Sequence, residues 1–580
     1  MQTSTACDRT STAFDRTVAH HVLDDARRRG TPAAFGVHGA NIEDVYAAAP
    51  AVGLPAVVAK HEFAAGAMAD GVARITGKPG LVLTTSGGGA MNVIPALAES
   101  YDSRVPVLAV IGSAPSTLVA QGAFQDMLSP PDTIDLVGVL SAVTGFCGVV
   151  ESAAALDDAL AAAAACLDSD RPAALVIPKD VQQQCFPAPS DRQIATPARG
   201  QRPAMTPPPD LHAPDLHAVA SELAAIARAG KPVVLWVGEE ASHRQVGRHI
   251  RTIAGRLGAT VIASPGGVDA TGLAWPPGVT GVMGHRSARS ALSDASLCLA
   301  IGCRMSITDR AGADEVLTRI PVIHLGRHRP RLPGCRHVSL SSLADGLDAL
   351  DDALAQENLT VQRRPPQTRT VLETPAPSAA ASRSETTSMR EAVQAISTAL
   401  PDNAVVFADA GNIGATAVHH LELRPGQRFG VALGMGGMGY AIAAGIGVAI
   451  TEAASTRRRC VVLAGDGSFF MHGMEFHTAI EYDAPITLVV VNNNAHGMCV
   501  TRESLYFPQS PSINRFRTTH IGDGLAAMFP DIDVRRPTDP MDLRAACTDL
   551  FAADGPNCLV VETDSDEIPP FLPFLARGES

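Results

Sequence analysis

Short β-rich apolar runs recur along this chain, each closed by a glycine or a polar cluster and each separated from the next by a longer helix-like stretch. In the first third they include LVLTT (81–85) and VPVLAVIG (105–112), and in the middle PVVLWVG (232–238), ATVIAS (259–264) and LCLAIG (297–302). The last third has AVVFADAG (404–411), CVVLAGDG (460–467) and ITLVVVNNN (486–494). Strands that alternate with helices pack as a parallel sheet with helical crossovers. Ligands bind such sheets at the carboxyl ends of the strands, where the Gly-rich and polar residues of this chain gather.

A chain of 580 residues exceeds what one hydrophobic core supports. Two stretches rich in Pro, Ser, Thr and Arg without apolar period, roughly 186–209 and 362–387, read as linkers. The expectation is an α/β protein of three doubly wound parallel-sheet domains, spanning 14–185, 210–355 and 388–570. The net charge of −13 comes without a basic tract, which argues against nucleic acid or an anionic membrane as partner. Eleven scattered Cys with no CxxC pair argue against a disulfide framework or a zinc site, and no apolar run is long enough to span a membrane. A cytoplasmic protein with reduced thiols is expected.

The sharpest motif is Gly465-Asp466-Gly467, followed after 24 residues by Asn492-Asn493-Asn494, each cluster closing an apolar strand. A Gly-Asp-Gly after a strand is by itself also a plain turn. The pair suits a hard cation such as Mg²⁺, which takes oxygen ligands from one or two protein groups and from phosphate; Asp466 and Asn493 can supply them. Glycines beside Asp466 let backbone N–H groups approach a diphosphate, and a helix beginning near Ser468 would aim its positive end at that anion. This arrangement resembles the thiamine diphosphate motif of acetolactate synthase, pyruvate oxidase and related decarboxylases. The resemblance implies Asp466, Asn493 and the backbone carbonyl of Ala495 as metal ligands. The segment from Asn494 through His496, Gly497 and Met498 would wrap the diphosphate, with Gly467 and Ser468 beside it.

About 400 residues upstream, the segment Lys60-His61-Glu62-Phe63-Ala64-Ala65-Gly66 resembles the stretch that carries the cofactor-activating glutamate of the same family. An apolar setting is expected to raise the carboxyl pKa of Glu62, so that it shares a proton with the aminopyrimidine of the cofactor. The run Gly434-Met435-Gly436-Gly437-Met438-Gly439 also matches G-x-G-x-x-G, yet no acidic residue stands where a dinucleotide fold needs one. In the acetolactate synthase-like enzymes the aligned segment lies under the aminopyrimidine, which places Met438 beneath the ring and the Gly436 carbonyl on its amino group. Glutamate and diphosphate domains meet across a subunit boundary in this family, so a homodimer or homotetramer is implied.

The resemblance fixes decarboxylation of a 2-oxo acid and leaves the second half of the reaction to other residues. Gly122-Ala123-Phe124-Gln125-Asp126 resembles the acetolactate synthase stretch whose Phe and Gln face substrate, and no His pair of the pyruvate decarboxylase kind occurs there. The pair His419-His420 reads as an exposed helix pair. Departures from the family pattern bear on the acceptor: His38 replaces a proline beside the substrate, Asn412 and Ile413 replace a Gln-His pair near the diphosphate, and Arg502 replaces a tryptophan of the acceptor pocket. A specialised carboligase whose acceptor bears a carboxylate or phosphate is expected, with a non-oxidative decarboxylase and an inactive scaffold as alternatives. Gly281-Val282-Met283-Gly284-His285 and Gly302-Cys303-Arg304 with Asp309-Arg310 resemble flavin-contacting segments and leave FAD open. The apolar end Ile568–Phe574 reads equally as a lid and as a packed tail.

Overall fold

The structure, a computed structural model, describes residues 16–185, 213–273, 277–359, 369–374, 387–453 and 456–575. Three six-stranded sheets carry the three thirds of the chain, and every pairing within them is parallel. The first holds Ala34–Gly36, Ala56–Val58, Gly80–Thr84, Val107–Ser113, Phe146–Val149 and Ala173–Pro178. The second holds Val233–Val237, Thr260–Ala263, Gly278–Val279, Leu297–Ile301, Val322–Gly326 and Arg336–Ser339. The third holds Val405–Ala408, Arg428–Val431, Cys460–Gly465, Ile486–Asn492, Val534–Arg535 and Asn557–Glu562. Counted within each sheet, the first and third share the order 2-1-3-4-6-5, whereas the middle one runs 6-5-4-1-2-3. All eight apolar runs of the sequence are strands, shortened or shifted at their ends where glycines and polar residues leave the ladder.

Helices cover both faces, so the central strands are buried along their whole length, as in Val107–Ser113 and Ile486–Asn492. By compactness the three sheets group into two units. One joins the first sheet to the segments Ala432–Arg457 and His472–Ala484, and the other holds the second and third sheets. In the first unit, helix Glu62–Thr76 crosses helix Tyr440–Ala453 at backbone distance. A Cβ on Gly71 would lie 2.7 Å from the Ala444 Cβ, and one on Gly447 would lie 2.7 Å from the Met68 Cα. Only the small residues of these two helices permit that approach.

The linker reading for 186–209 lies outside the described residues. Of the second linker, Arg369–Thr374 is described and is packed rather than loose. Its Leu372 is buried, its Leu372 N–H donates to His419 Nε2 at 2.9 Å, and the Arg369 guanidinium donates to the His419 carbonyl at 2.8 Å. That packing corrects the reading of His419-His420 as exposed, since both are buried. His419 Nδ1 lies 2.9 Å from the Met283 carbonyl, and His285 Nε2 lies 2.8 Å from the His419 carbonyl. Burial lowers the His419 pKa to about 4 and the His420 pKa to about 3, so both are neutral structural groups at pH 7. Among the described residues nine cysteines are free, and Cys185, in contrast to the expectation of reduced thiols, is disulfide-bonded. No helix among the described residues is long and apolar enough to cross a membrane.

Candidate active site

Two half-sites stand at the carboxyl ends of the first and third sheets, one in each unit. In the second unit, Asn412 follows the first strand of the third sheet, Asp466 the third and Asn493 the fourth, so the switch in strand order brings them together. The Ala495 N–H donates to Asp466 Oδ2 at 3.0 Å and to Asn493 Oδ1 at 3.1 Å, which places both side-chain oxygens on one atom. Asn494 sits at φ 51°, and its Oδ1 accepts from the Thr519 N–H at 2.7 Å, holding the turn that presents this group. The helix starts at Asp466, two residues before the expected Ser468. Burial pushes the Asp466 carboxyl up to about 6, with the N–H groups of Ala495 and Gly467 pulling against it.

The fit of a metal and a diphosphate to this half-site rests on its unfilled polar valences and on its missing side chains. Asn412 Oδ1 is buried without a hydrogen-bond partner, while its Nδ2 donates to the Glu567 carbonyl at 3.3 Å. A Cβ on Gly497 would come within 2.6 Å of Asn493 Nδ2 and 2.8 Å of Asn412 Nδ2, and one on Gly467 within 2.5 Å of His496 Nδ1. Gly465 opens on empty space. A buried carboxyl, a second amide oxygen and an orphaned third, set among glycines, suit a hard cation bridged to an anion. Ser468 and Gly497 are buried beside them, and Met498 is the second residue of the helix Gly497–Tyr506. Arg502 lies exposed on that helix, its guanidinium 5.9 Å from the centre of the Tyr506 ring.

In the first unit, Glu62 opens helix Glu62–Thr76, whose N-cap His61 accepts the Phe63 N–H at 3.0 Å. Asn92 Nδ2 donates to Glu62 Oε2 at 2.9 Å, and a Cβ on Gly89 would lie 3.1 Å from Glu62 Oε1. The glycine-rich helix Gly88–Asn92 after the third strand therefore borders the carboxyl. Gln125 reaches the same stretch, lying where a Cβ on Gly87 would be, 2.7 Å from its Cγ, and holding a φ of 62° that few non-glycine residues adopt. Phe124 beside it is exposed. His38 lies 5.0 Å, ring centre to ring centre, from Tyr46, whose buried hydroxyl lacks a partner and is held protonated by burial and by the charges of Tyr482 and Glu62. Gly437 packs on Phe63, which stacks on His472 at 4.6 Å, so the loop bearing Gly436 and Met438 lies against the residue next to Glu62.

Sequence reasoning missed Asn92, Tyr46 and the acidic network beneath that loop. Glu99 accepts the N–H groups of Gly434 at 3.2 Å and Met435 at 2.5 Å, together with the Arg74 guanidinium at 3.0 Å. Arg74 also donates to Asp70 at 2.5 Å, and Asp70 receives the Tyr440 hydroxyl. Burial would raise the Glu99 carboxyl, but Arg74 and the Ser103, Met435 and Gly434 donors hold it below the usual carboxylate range. Its stabilising contribution is present above the unfolded carboxylate pKa and is lost as pH falls through the depressed one. Glu99→Gln, read by urea denaturation, is expected to cost about 3 kcal/mol, because it leaves Arg74 buried with one carboxylate fewer. An unchanged midpoint would deny the network its role in holding the loop.

Comparison with known proteins places the chain among thiamine pyrophosphate enzymes. The chain matches the family models described as thiamine pyrophosphate enzyme: the N-terminal TPP binding domain over residues 16–136, the central domain over 219–352 and the C-terminal TPP binding domain over 409–561. It is 25% identical to the acetolactate synthase isozyme 1 large subunit of Escherichia coli K12 over 580 residues, covering 97% of each chain. It is 26% identical to the isozyme 2 large subunit of the same organism over 585 residues, covering 97% of this chain and 98% of the other. An X-ray structure described as that of a thiamin diphosphate-dependent enzyme isolated from Mycobacterium smegmatis superposes with a TM-score of 0.74 at 21% identity, covering 95% of this chain and 99% of that one, a likeness of fold.

Proposed function

Since the chain belongs to the thiamine pyrophosphate enzyme family, as an acetolactate synthase-like member, we propose that it decarboxylates a 2-oxo acid of the pyruvate kind and joins the remaining carbon unit to an acceptor carbonyl. The observation that carries this reading is the convergence of Asp466 Oδ2 and Asn493 Oδ1 on the Ala495 N–H, beside the orphaned Asn412 Oδ1. Thiamine diphosphate, when bound, supplies the carbon nucleophile and electron sink that such chemistry needs. Asp466, Asn493 and the Ala495 carbonyl would hold Mg²⁺, and Gly467, Ser468, His496, Gly497 and Met498 with Asn412 would hold the diphosphate.

Glu62 would exchange the activating proton with the aminopyrimidine, its carboxyl oriented by Asn92. Met438 would support the ring and the Gly436 carbonyl would receive its amino group. Gln125, Phe124 and His38 would face the 2-oxo acid. Arg502, exposed one helical turn beyond the start of the helix that leaves the diphosphate cradle, suits an acceptor with a carboxylate or phosphate, which it would meet with paired hydrogen bonds. A homodimer or homotetramer with shared sites and a cytoplasmic location complete the proposal.

Mass spectrometry of products tests it. The protein is incubated with thiamine diphosphate, Mg²⁺ and pyruvate, with and without a panel of aldehyde and oxo-acid acceptors. A coupled product is expected, and Arg502→Ala is expected to raise KM for an anionic acceptor about tenfold or more, the scale of one charged hydrogen-bonded contact. Acetaldehyde alone would replace the carboligase with a decarboxylase. Full activity with two pyruvates and no other acceptor would remove the specialised acceptor.

A further inference from the structure

The middle sheet has the strand order of a dinucleotide-binding fold. Its strand order reverses between Val233–Val237 and Leu297–Ile301. In such sheets a dinucleotide crosses the carboxyl ends at this point, and its diphosphate rests on the N–H groups of a glycine-rich first turn and of the helix that follows. FAD, which the resemblance leaves open, carries a diphosphate of the kind that such a sheet receives at that position.

In this chain the first turn reads Gly238-Glu239-Glu240, and protein atoms already fill the position. Gly238 lies directly on the opposite turn: a Cβ there would stand 2.4 Å from both the Cys303 Cα and the Gly302 oxygen. The Gly238 N–H donates to the Ile301 carbonyl at 2.9 Å and the Glu240 N–H to the Gly302 carbonyl at 3.1 Å, so the donors that would receive a phosphate are spent across the switch point. The Glu240 carboxylate turns to the fifth strand, where it takes the Arg327 N–H at 3.1 and 3.2 Å and lies where a Cβ on Gly326 would be.

Glu239 turns the other way. Its Cγ is 2.6 Å from where a Cβ on Gly266 would lie, and its Oε2 is 3.5 Å from the Arg304 N–H. Burial and the charge of Asp309 push its carboxyl up to about 7, so the crevice already holds crowded carboxylates before any ligand arrives. The helix that begins at Glu239 ends at His243 and offers no long dipole in compensation. A cavity of about 890 Å³ does lie beside Gly281, Gly284 and Arg286, lined also by the tail residues Leu572 and Phe574, but neither Glu239, Glu240, Arg304 nor Asp309 lines it. Space for an aromatic ring therefore exists, apart from the first turn of the sheet.

We infer that the middle domain is closed to FAD and to other dinucleotides, because Glu239, Glu240 and the Gly302 carbonyl occupy the diphosphate position of its switch-point crevice. Two phosphate charges would have to enter beside the Glu240 carboxylate and the buried Glu239 side chain and displace hydrogen bonds that the fold has already made. The inference goes beyond the proposed reaction and stands independently of it, since flavin binding is read without turnover.

The test uses the whole protein loaded with thiamine diphosphate and Mg²⁺. Its visible spectrum is recorded as purified, and FAD is titrated in by fluorescence quenching, alongside a Glu239→Gly, Glu240→Gly double variant whose fold is checked by circular dichroism. The expected result is no flavin band, a wild-type dissociation constant for FAD weaker than about 100 μM, and binding at least tenfold tighter in the variant, a gain of about 1.4 kcal/mol. Stoichiometric flavin in the purified protein or saturable binding of one FAD per chain would overturn the inference. A folded variant that binds no better than wild type would overturn the assignment of the two carboxylates as the barrier.

Discussion

Glu62→Gln is expected to lower kcat by about 10²–10⁴-fold, the contribution of a positioned proton-transfer group, while the cofactor still binds. The substitution keeps the shape of the side chain at the first residue of helix Glu62–Thr76, and an amide oxygen can still receive the Asn92 Nδ2 donor that now reaches Glu62 Oε2 at 2.9 Å. Packing of Phe63 on His472 and of Gly437 on Phe63 does not involve the carboxyl. What the variant loses is the ability to take up and return a proton. Steady-state turnover with pyruvate and an acceptor, together with cofactor affinity from fluorescence quenching, separates these effects. A kcat within tenfold of wild type would show that another group moves the proton.

Asp466→Asn is expected to weaken the joint affinity for Mg²⁺ and thiamine diphosphate on the order of 100-fold, since it removes the one carboxylate from the cradle. At a ligand concentration where the wild type is stabilised by about 2.7 kcal/mol, the variant should show almost none of that stabilisation. Thermal unfolding with and without the two ligands reads the difference. The folded pKa of Asp466, about 6, stands above its unfolded value, so the stability this group contributes without a cation is present in acid and lost as pH rises through that value. Without ligands at pH 7 the variant should therefore be at least as stable as wild type. Equal ligand stabilisation in both proteins would remove Asp466 from the metal site.

The two half-sites differed in how far they could be read in advance. Asp466, Asn493 and Gly467 sit in turns that directly end apolar strands, and turn chemistry, strand period and hard-cation ligand preference are all properties of a few adjacent residues. Glu62 was proposed from the likeness of its segment to a family stretch, and the structure sets it at the start of a helix after a strand. The groups that orient these residues were not legible. Asn92 lies 30 residues from Glu62, and Glu99 holds the Met435 N–H across 336 residues. No local pattern announces such pairs. The histidines at 419 and 420 mislead for the related reason that two polar residues at a helix end look solvated until Met283, His285 and Arg369 cover them.

The sequence by itself determined three parallel sheets, the strands that build them and the glycine-rich and polar turns that close them. Each of these follows from the period of apolar residues and from the backbone freedom of glycine, which act over a few residues at a time. Tertiary structure alone decided the grouping into two units, in which Ala432–Arg457 joins the first sheet, the burial of the Arg74, Asp70 and Glu99 network, and the closure of the middle crevice by Glu239 and Glu240. These depend on which distant surfaces meet, because a buried charge is tolerated only where another part of the chain supplies its counter-charge or hydrogen bond.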